Sequence, residues 1–296
     1  MDRKSFLKSI ALLPIAAASM KLNSLNKMTE PFSSTEQMPV LFLGHGSPMN
    51  AIDENEFVTG FRNIGKEIPK PSAILCVSAH WETRGTFVTA MENPQTIHDF
   101  GGFPKALFDV QYSAPGSPEL AKETKSIIKK TEVGLDEKWG LDHGAWSVIK
   151  HLYPNADIPV IQMSLDYYQT PQFHYELAKE LSSLRKKGVL IIGSGNMVHN
   201  LRMVAWDKLN TDNYGYDWAI DASEKMKKFI LSGDHQPLIN FQSQGKEFDL
   251  AIPTPEHYLP LLYSLALKGE NEKVTLFNDK AVGGSLTMTS LKIDKA

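Results

Sequence analysis

Nine histidines and one cysteine are the side chains here best able to bind a transition metal or move a proton near neutral pH. Three of the histidines stand where packing gives little reason for an imidazole. His45 lies between Gly44 and Gly46, and two residues without side chains let the backbone turn sharply and approach another group closely. His80 follows the apolar run 73–79, with Trp81 beside it as a candidate wall of a cavity. His257 lies in Thr254-Pro255-Glu256-His257-Tyr258, where Thr254 can cap a helix and Pro255 can take its first position, although Pro260 argues for a later start. Positive potential at such a helix end disfavours imidazolium and keeps the ring neutral and able to bind metal.

The other histidines divide by context. His199 follows Gly193-Ser194-Gly195-Asn196, a loop with only a faint likeness to a phosphate cradle and without its lysine. His143 sits in the turn Asp142-His143-Gly144, and His98 in the aromatic loop 96–104, which could cover a pocket. His151, His174 and His235 fall on expected helices or in a polar turn and are read as structural. Three or four converging neutral imidazoles suit zinc, iron or copper; calcium and magnesium want oxygen. No H-E-x-x-H or G-x-S-x-G occurs, so neither a zincin protease nor an α/β-hydrolase nucleophile is indicated. Cys76, alone and inside an apolar run, reads as a small buried hydrophobe.

The elements that must position these side chains alternate along the chain. Strands are expected over 40–43, 73–79, 86–90, 158–163, 189–192 and 285–293. Helices are expected over 119–130, 146–153, 217–231 and 259–267, and another through Phe173, Leu177, Leu181 and Leu184, closed by Gly188. Strands alternating with helices predict an α/β sandwich, a mixed central sheet with helices on both faces. Sites in open α/β sheets lie beyond the carboxyl ends of strands, and His45, His80 and His199 fall there.

The 296 residues, 42 % hydrophobic and 22 % charged with net charge −3, fit a globular protein, and no basic block is long enough to bind a nucleic acid backbone. Residues 1–37 read as an export-signal-like segment and linker. The basic start Arg3-Lys4-Ser5-Phe6-Leu7-Lys8 is similar to a twin-arginine signal with lysine in second place, and the apolar run 10–18 is too short to span a bilayer, which takes ~20 residues. The expected location is therefore periplasmic or exported, with the cytoplasm as the alternative, and no stable membrane insertion is expected. Residues 38–296 read as one catalytic domain.

Seven segments, in order, resemble the 4,5-DOPA-extradiol-dioxygenase-like family of the class III extradiol ring-cleaving dioxygenase superfamily, in its bacterial form. They are Leu41-Phe42-Leu43-Gly44-His45-Gly46-Ser47-Pro48-Met49-Asn50, Ser78-Ala79-His80-Trp81, the loop 96–104, Tyr112-Ser113-Ala114-Pro115-Gly116-Ser117-Pro118, Leu141-Asp142-His143-Gly144-Ala145-Trp146, Gly195-Asn196-Met197-Val198-His199-Asn200-Leu201 and Thr254-Pro255-Glu256-His257-Tyr258-Leu259-Pro260-Leu261. The resemblance implies one mononuclear metal, ferrous iron for ring cleavage or zinc, held by His45, His80 and His257. It implies His199 as acid/base, counted in some members as a fourth zinc ligand, and His143 as a pocket residue. The implied substrates are dioxygen and a catechol such as DOPA, cleaved in the 4,5-extradiol manner. Zinc has no redox change to offer, so a zinc-dependent hydrolase on the same site is the alternative; a non-enzymatic metal-binding interaction protein is the third.

Overall fold

The computed structural model describes residues 36–296, so all but the last two residues of the export-like segment lie outside the described residues. β1 (Val40–Gly44), β2 (Ala73–Thr83), β5 (Val160–Asp166) and β6 (Val189–Gly195) form the parallel centre of a mixed sheet. β3 (Thr86–Thr89) and β10 (Ser290–Lys295) flank the centre antiparallel, and β4 (Val133–Asp136) and β7 (Glu272–Phe277) form the edges. The order is β4-β3-β5-β2-β6-β1-β10-β7. β8 (Ala281–Val282) and β9 (Leu286–Thr287) pair as a small separate ribbon. Among the described residues no helix is long and apolar enough to cross a membrane.

The central strands are buried on both faces, so the alternation of side chains decides which helical layer each residue meets. Leu41 and Leu43, Ile74 and Cys76, and Leu190 and Ile192 point to one face. There they pack with Phe61 and Ile64 of α1 (Glu56–Glu67), and with Trp146, Ile149 and Leu152 further along the chain. Cys76 is fully buried in this layer, and burial pushes its thiol well above the usual range. α2 (Pro118–Ile127) packs against β3 and β4, and α3 (His143–Leu152) carries the Trp146 side of the layer. On the opposite face α4 (Pro171–Lys179) packs against a late helix, Leu259–Ala266. The late helix is α6, and α5 (Asp217–Ser232) lies between α4 and α6 in the chain, with shorter helices at Lys105–Phe108, Gln236–Ile239 and Lys246–Ala251. The Ser264 hydroxyl of α6 donates to the Leu41 carbonyl, and a side chain at Gly193 would collide with the Pro260 carbonyl. The expected mixed α/β sandwich is therefore the fold observed.

Several expected boundaries differ. The helix expected over 146–153 begins at His143, because Asp142 caps it by accepting the Ala145 N–H. The helix expected through Leu184 keeps α-helical form only to Lys179 and continues as 3-10 turns over Glu180–Lys187, closed as anticipated by Gly188 with φ 77°. The strand expected over 285–293 is broken into β9 and β10, since Met288 turns aside to lie against Gly44. No helix forms at Thr254 or Pro255; α6 starts at Leu259 with Pro260 in its first turn, and His257 lies in the turn before it. α1, β4 and β7 were not anticipated. Gly60 and Gly65 interrupt the helical pattern of α1, and Gly65 is there because a side chain would strike the Leu152 carbonyl of α3.

Candidate metal centre

The alternation that fills the core continues into the site. Two residues past Leu43 comes His45; past Cys76 come Ser78 and His80; past Ile192 comes Ser194. The β1–β6 pairing ends at Gly44 and Gly195, and the β2–β6 pairing at Ser78 and Ser194, so these residues gather at the carboxyl ends of three adjacent parallel strands. β2 itself runs on to Thr83 beyond a bulge between Val77 and Glu82, and His80 sits in that irregular stretch. Trp81 beside it stacks on Trp139, with centroids 5.7 Å apart and planes 4° from parallel. Gly46 has φ 62°, a left-handed conformation that glycine adopts without strain. His257 enters from the turn before α6; its carbonyl accepts the Asn196 N–H at 2.8 Å and lies where a side chain at Gly195 would be. Gly193 and Gly195 thus admit the backbone of the α6 segment and form no phosphate cradle.

One ligand atom from each of His45, His80 and His257 can be chosen so that all lie within 4.8 Å of one another. The Nε2 atoms of His45 and His80 are 3.1 Å apart. Ser194 donates its one hydroxyl proton to the Gly144 carbonyl at 2.5 Å, so at 3.1 Å from His45 Nδ1 it accepts. That assigns the His45 proton to Nδ1 and leaves Nε2 bare. His80 turns Nδ1 toward Asp99, 3.6 Å from Oδ2, and His257 turns Nδ1 to Glu256 Oε1 at 3.2 Å. His45 and His257 thus each have an outward hydrogen-bond partner, the arrangement that orients metal-binding histidines and raises their basicity; the Asp99 carboxylate is too far from His80 to hydrogen-bond it.

Burial holds His45 and His80 well below the ordinary imidazole range, and the neighbouring imidazoles push in the same direction. Burial also lowers His257, partly offset by the carboxylate of Glu256. For Glu256 itself burial acts upward, but the His257 hydrogen bond and other partners hold it at about 2. All three rings are therefore neutral at neutral pH, with bare nitrogens facing inward. Two such nitrogens 3.1 Å apart need a shared proton or a shared cation between them, and about 3 Å is the separation of two imidazole ligands about 2.1 Å from one ion at a right angle. The donor set fits a divalent transition metal.

His199 and His143 stand on either side of this group. His199 stacks on His257 with centroids 3.5 Å apart and planes 9° from parallel, and its nitrogen groups with Glu256 and His257 and not with the His45–His80 pair. Burial first, then the neighbouring His257, lowers its pKa to about 3. His143, at the start of α3, lies 3.8 Å from His80 and 5.7 Å from His45 between centroids, and Phe100 meets its outer edge at 5.5 Å. The remaining histidines are engaged elsewhere: His98 with the Val110 carbonyl, His151 with the Asn50 carbonyl, His174 with Tyr263 and Asp166, and His235 with Tyr175. Asp99, Ser194 and Glu256 received no role from the sequence. The only signal was adjacency, Asp99 beside His98 and Glu256 beside His257, and which imidazole each would face depends on the fold.

Residues 39–282 match the family model described as the catalytic LigB subunit of aromatic ring-opening dioxygenase. The chain is 46 % identical to the 4,5-DOPA dioxygenase extradiol of Escherichia coli (strain K12), over 88 % of this chain and 96 % of that one. It is 37 % identical to the protein of the same name from Beta vulgaris, over 85 % and 94 %. Among solved structures, an uncharacterized protein from Escherichia coli K12 superposes with a TM-score of 0.75 at 41 % identity, covering 87 % of this chain and all of that chain.

Proposed function

The chain belongs to the family of the catalytic LigB subunit of aromatic ring-opening dioxygenases, an extradiol dioxygenase by its relatives, and from that premise we propose that it opens a catechol such as DOPA by 4,5-extradiol cleavage with dioxygen at one mononuclear metal site. The observation that carries this reading is the convergence of His45, His80 and His257 with two further imidazoles alongside. The three converging histidines hold the ion. Ferrous iron, when bound, supplies the electron transfer between aromatic ring and dioxygen that closed-shell side chains lack, and zinc does not.

The remaining steps belong to the chain. His199 starts neutral, so it accepts a proton from a catechol hydroxyl and returns one later. An anionic catecholate beside it raises its proton affinity. In this reading His199 serves as acid/base and not as a fourth ligand, which is supported by its ring lying flat on His257 and by its nitrogen grouping with Glu256 and His257. His143 contacts the substrate, and Phe100 at its edge adds an apolar wall suited to a flat ring.

To test the proposal, metal-free protein is loaded anaerobically with Fe(II), and DOPA or caffeate is supplied with oxygen. Oxygen uptake with a yellow ring-cleavage product is expected, and zinc-loaded protein is expected to be inactive. No oxygen uptake across a panel of catechols overturns the proposal, and hydrolysis by the zinc form would replace it.

A further inference from the structure

We propose that Asp99 is a positioning residue that fixes which nitrogen of His143 faces the substrate. The inference rests on the ring-cleavage reading for its catalytic consequence, but not for its structural content. Both oxygens of the carboxylate are committed to one residue. Oδ1 accepts the backbone N–H of His143 at 2.9 Å, and Oδ2 lies 2.9 Å from its ring Nδ1. The clamp therefore grips both the backbone and the ring. Oδ2 is also 3.6 Å from Nδ1 of His80, so one oxygen lies against both a proposed metal ligand and a pocket imidazole.

The placement is built into the chain. The stretch leading to Asp99 is pinned to the residues that precede His143: Leu141 N–H donates to the Gln95 carbonyl at 2.8 Å, and Ile97 N–H donates to the Leu141 carbonyl at 2.7 Å. Trp146, one turn into α3, donates its ring N–H to the Ile97 carbonyl at 2.8 Å. Asp99 and His143 are thus mounted on one rigid junction. The Asp99 side chain is only 16 % exposed, so little water competes for the clamp.

An ionised carboxylate only accepts hydrogen bonds. Nδ1 of His143 must then carry the ring proton, which leaves Nε2 as a bare acceptor. In that tautomer His143 receives a hydrogen bond from a catechol hydroxyl; while neutral it cannot donate one to dioxygen. Turning the ring over would exchange Nδ1 for a carbon and lose the Asp99 bond. Replacement by asparagine keeps the size and an oxygen for the backbone N–H, but turns an amide donor toward the ring and favours the opposite tautomer.

The test has two independent arms. Long-range proton–nitrogen NMR of the histidine rings in 15N-labelled, zinc-loaded protein reads the tautomer without turnover. Wild type is expected to carry the His143 proton on Nδ1, and Asp99→Asn is expected to lose or reverse that preference. In iron-loaded protein, Asp99→Asn is expected to lower kcat on the order of 100-fold with metal content unchanged and KM little moved, the lower end of what a positioned acid/base group contributes. In a His143→Ala background the same change is expected to add less than about threefold, because its effect runs through the missing ring. A wild-type His143 protonated on Nε2 overturns the inference, and so does an undiminished Asp99→Asn effect in the His143→Ala background. An Nδ1 proton together with no oxygen uptake by wild type would sink the ring-cleavage reading and leave the role of Asp99 standing.

Discussion

At Gly144 a single methyl group would reach the site. A side chain there would lie 2.5 Å from Ser78 Oγ and 2.8 Å from His80 Cδ2. Gly144→Ala is therefore expected to displace His80 and to cost about 1–3 kcal/mol of stability. The check is metal bound per chain after reconstitution, with a thermal melt beside it; a normal metal content would show that His80 had not moved. His199 gives the opposite prediction. His199→Ala is expected to keep its metal and lose on the order of 100-fold or more in turnover, and loss of the metal instead would make His199 a ligand. These two residues also mark what was legible in the sequence. His45 and His80 stand out because each ends an apolar run, and an imidazole there needs a reason. The hydrogen bond that sets the tautomer of His45 comes from Ser194, more than 140 residues away along the chain, and the carboxylate nearest His80 Nδ1 is that of Asp99, about 20 residues on; no local pattern pairs them.

At the scale of elements, the central strands were readable because burial on both faces writes them as short apolar runs. The edges were not. β4 is four residues long and Gly134 within it has no side chain; the Phe87 ring of β3 covers that gap. β7 is half-exposed along its length, so its pattern carries little hydrophobic signal. The seam between α4 and α6 carries a test of its own. His174 on α4 has Nε2 3.2 Å from the Asp166 carbonyl and Nδ1 3.0 Å from the Tyr263 hydroxyl of α6. The carbonyl requires a proton on Nε2, so Nδ1 accepts from Tyr263 and the neutral ring is fully satisfied. Burial, partly offset by Asp166, lowers His174 to about 4. Its folded value lies below its unfolded one, so the unfolded chain binds more protons between them. The stability this group contributes is complete above about 6.5 and is lost as pH falls toward about 4, at most about 3 kcal/mol. Denaturant titrations of wild type and His174→Gln across that window should differ in slope by this amount, and parallel curves would refute the assignment.

For the whole molecule, one buried ion pair ties the β7 edge of the described sheet to the segment that leads into β6. Arg185 is buried, pairs through both terminal nitrogens with Glu272 of β7, and donates to the carbonyls of Met38 and Leu267. Arg185→Met is expected to cost about 3–5 kcal/mol, because Glu272 is left buried without its partner. Metal content is expected to be unchanged, since the pair lies at the opposite ends of β1 and β6 from the histidines. Metal removal acts on the site directly. A metal at a hundred times its dissociation constant adds about 2.7 kcal/mol to the folded state. At this chain length that corresponds to a melting temperature roughly 5 °C higher than that of metal-free protein, a difference that His45→Ala should abolish.

Cys76 lies four residues before His80 on the same face of β2, fully buried, with its thiol held protonated by its surroundings. It is the chain's one sulfhydryl. An alkylating reagent meets that sulfur only when the centre of the sheet comes apart. The rate at which the single thiol is consumed in native buffer is therefore a clock for rare global opening, one count per molecule, set directly beneath the histidines whose occupancy should slow it.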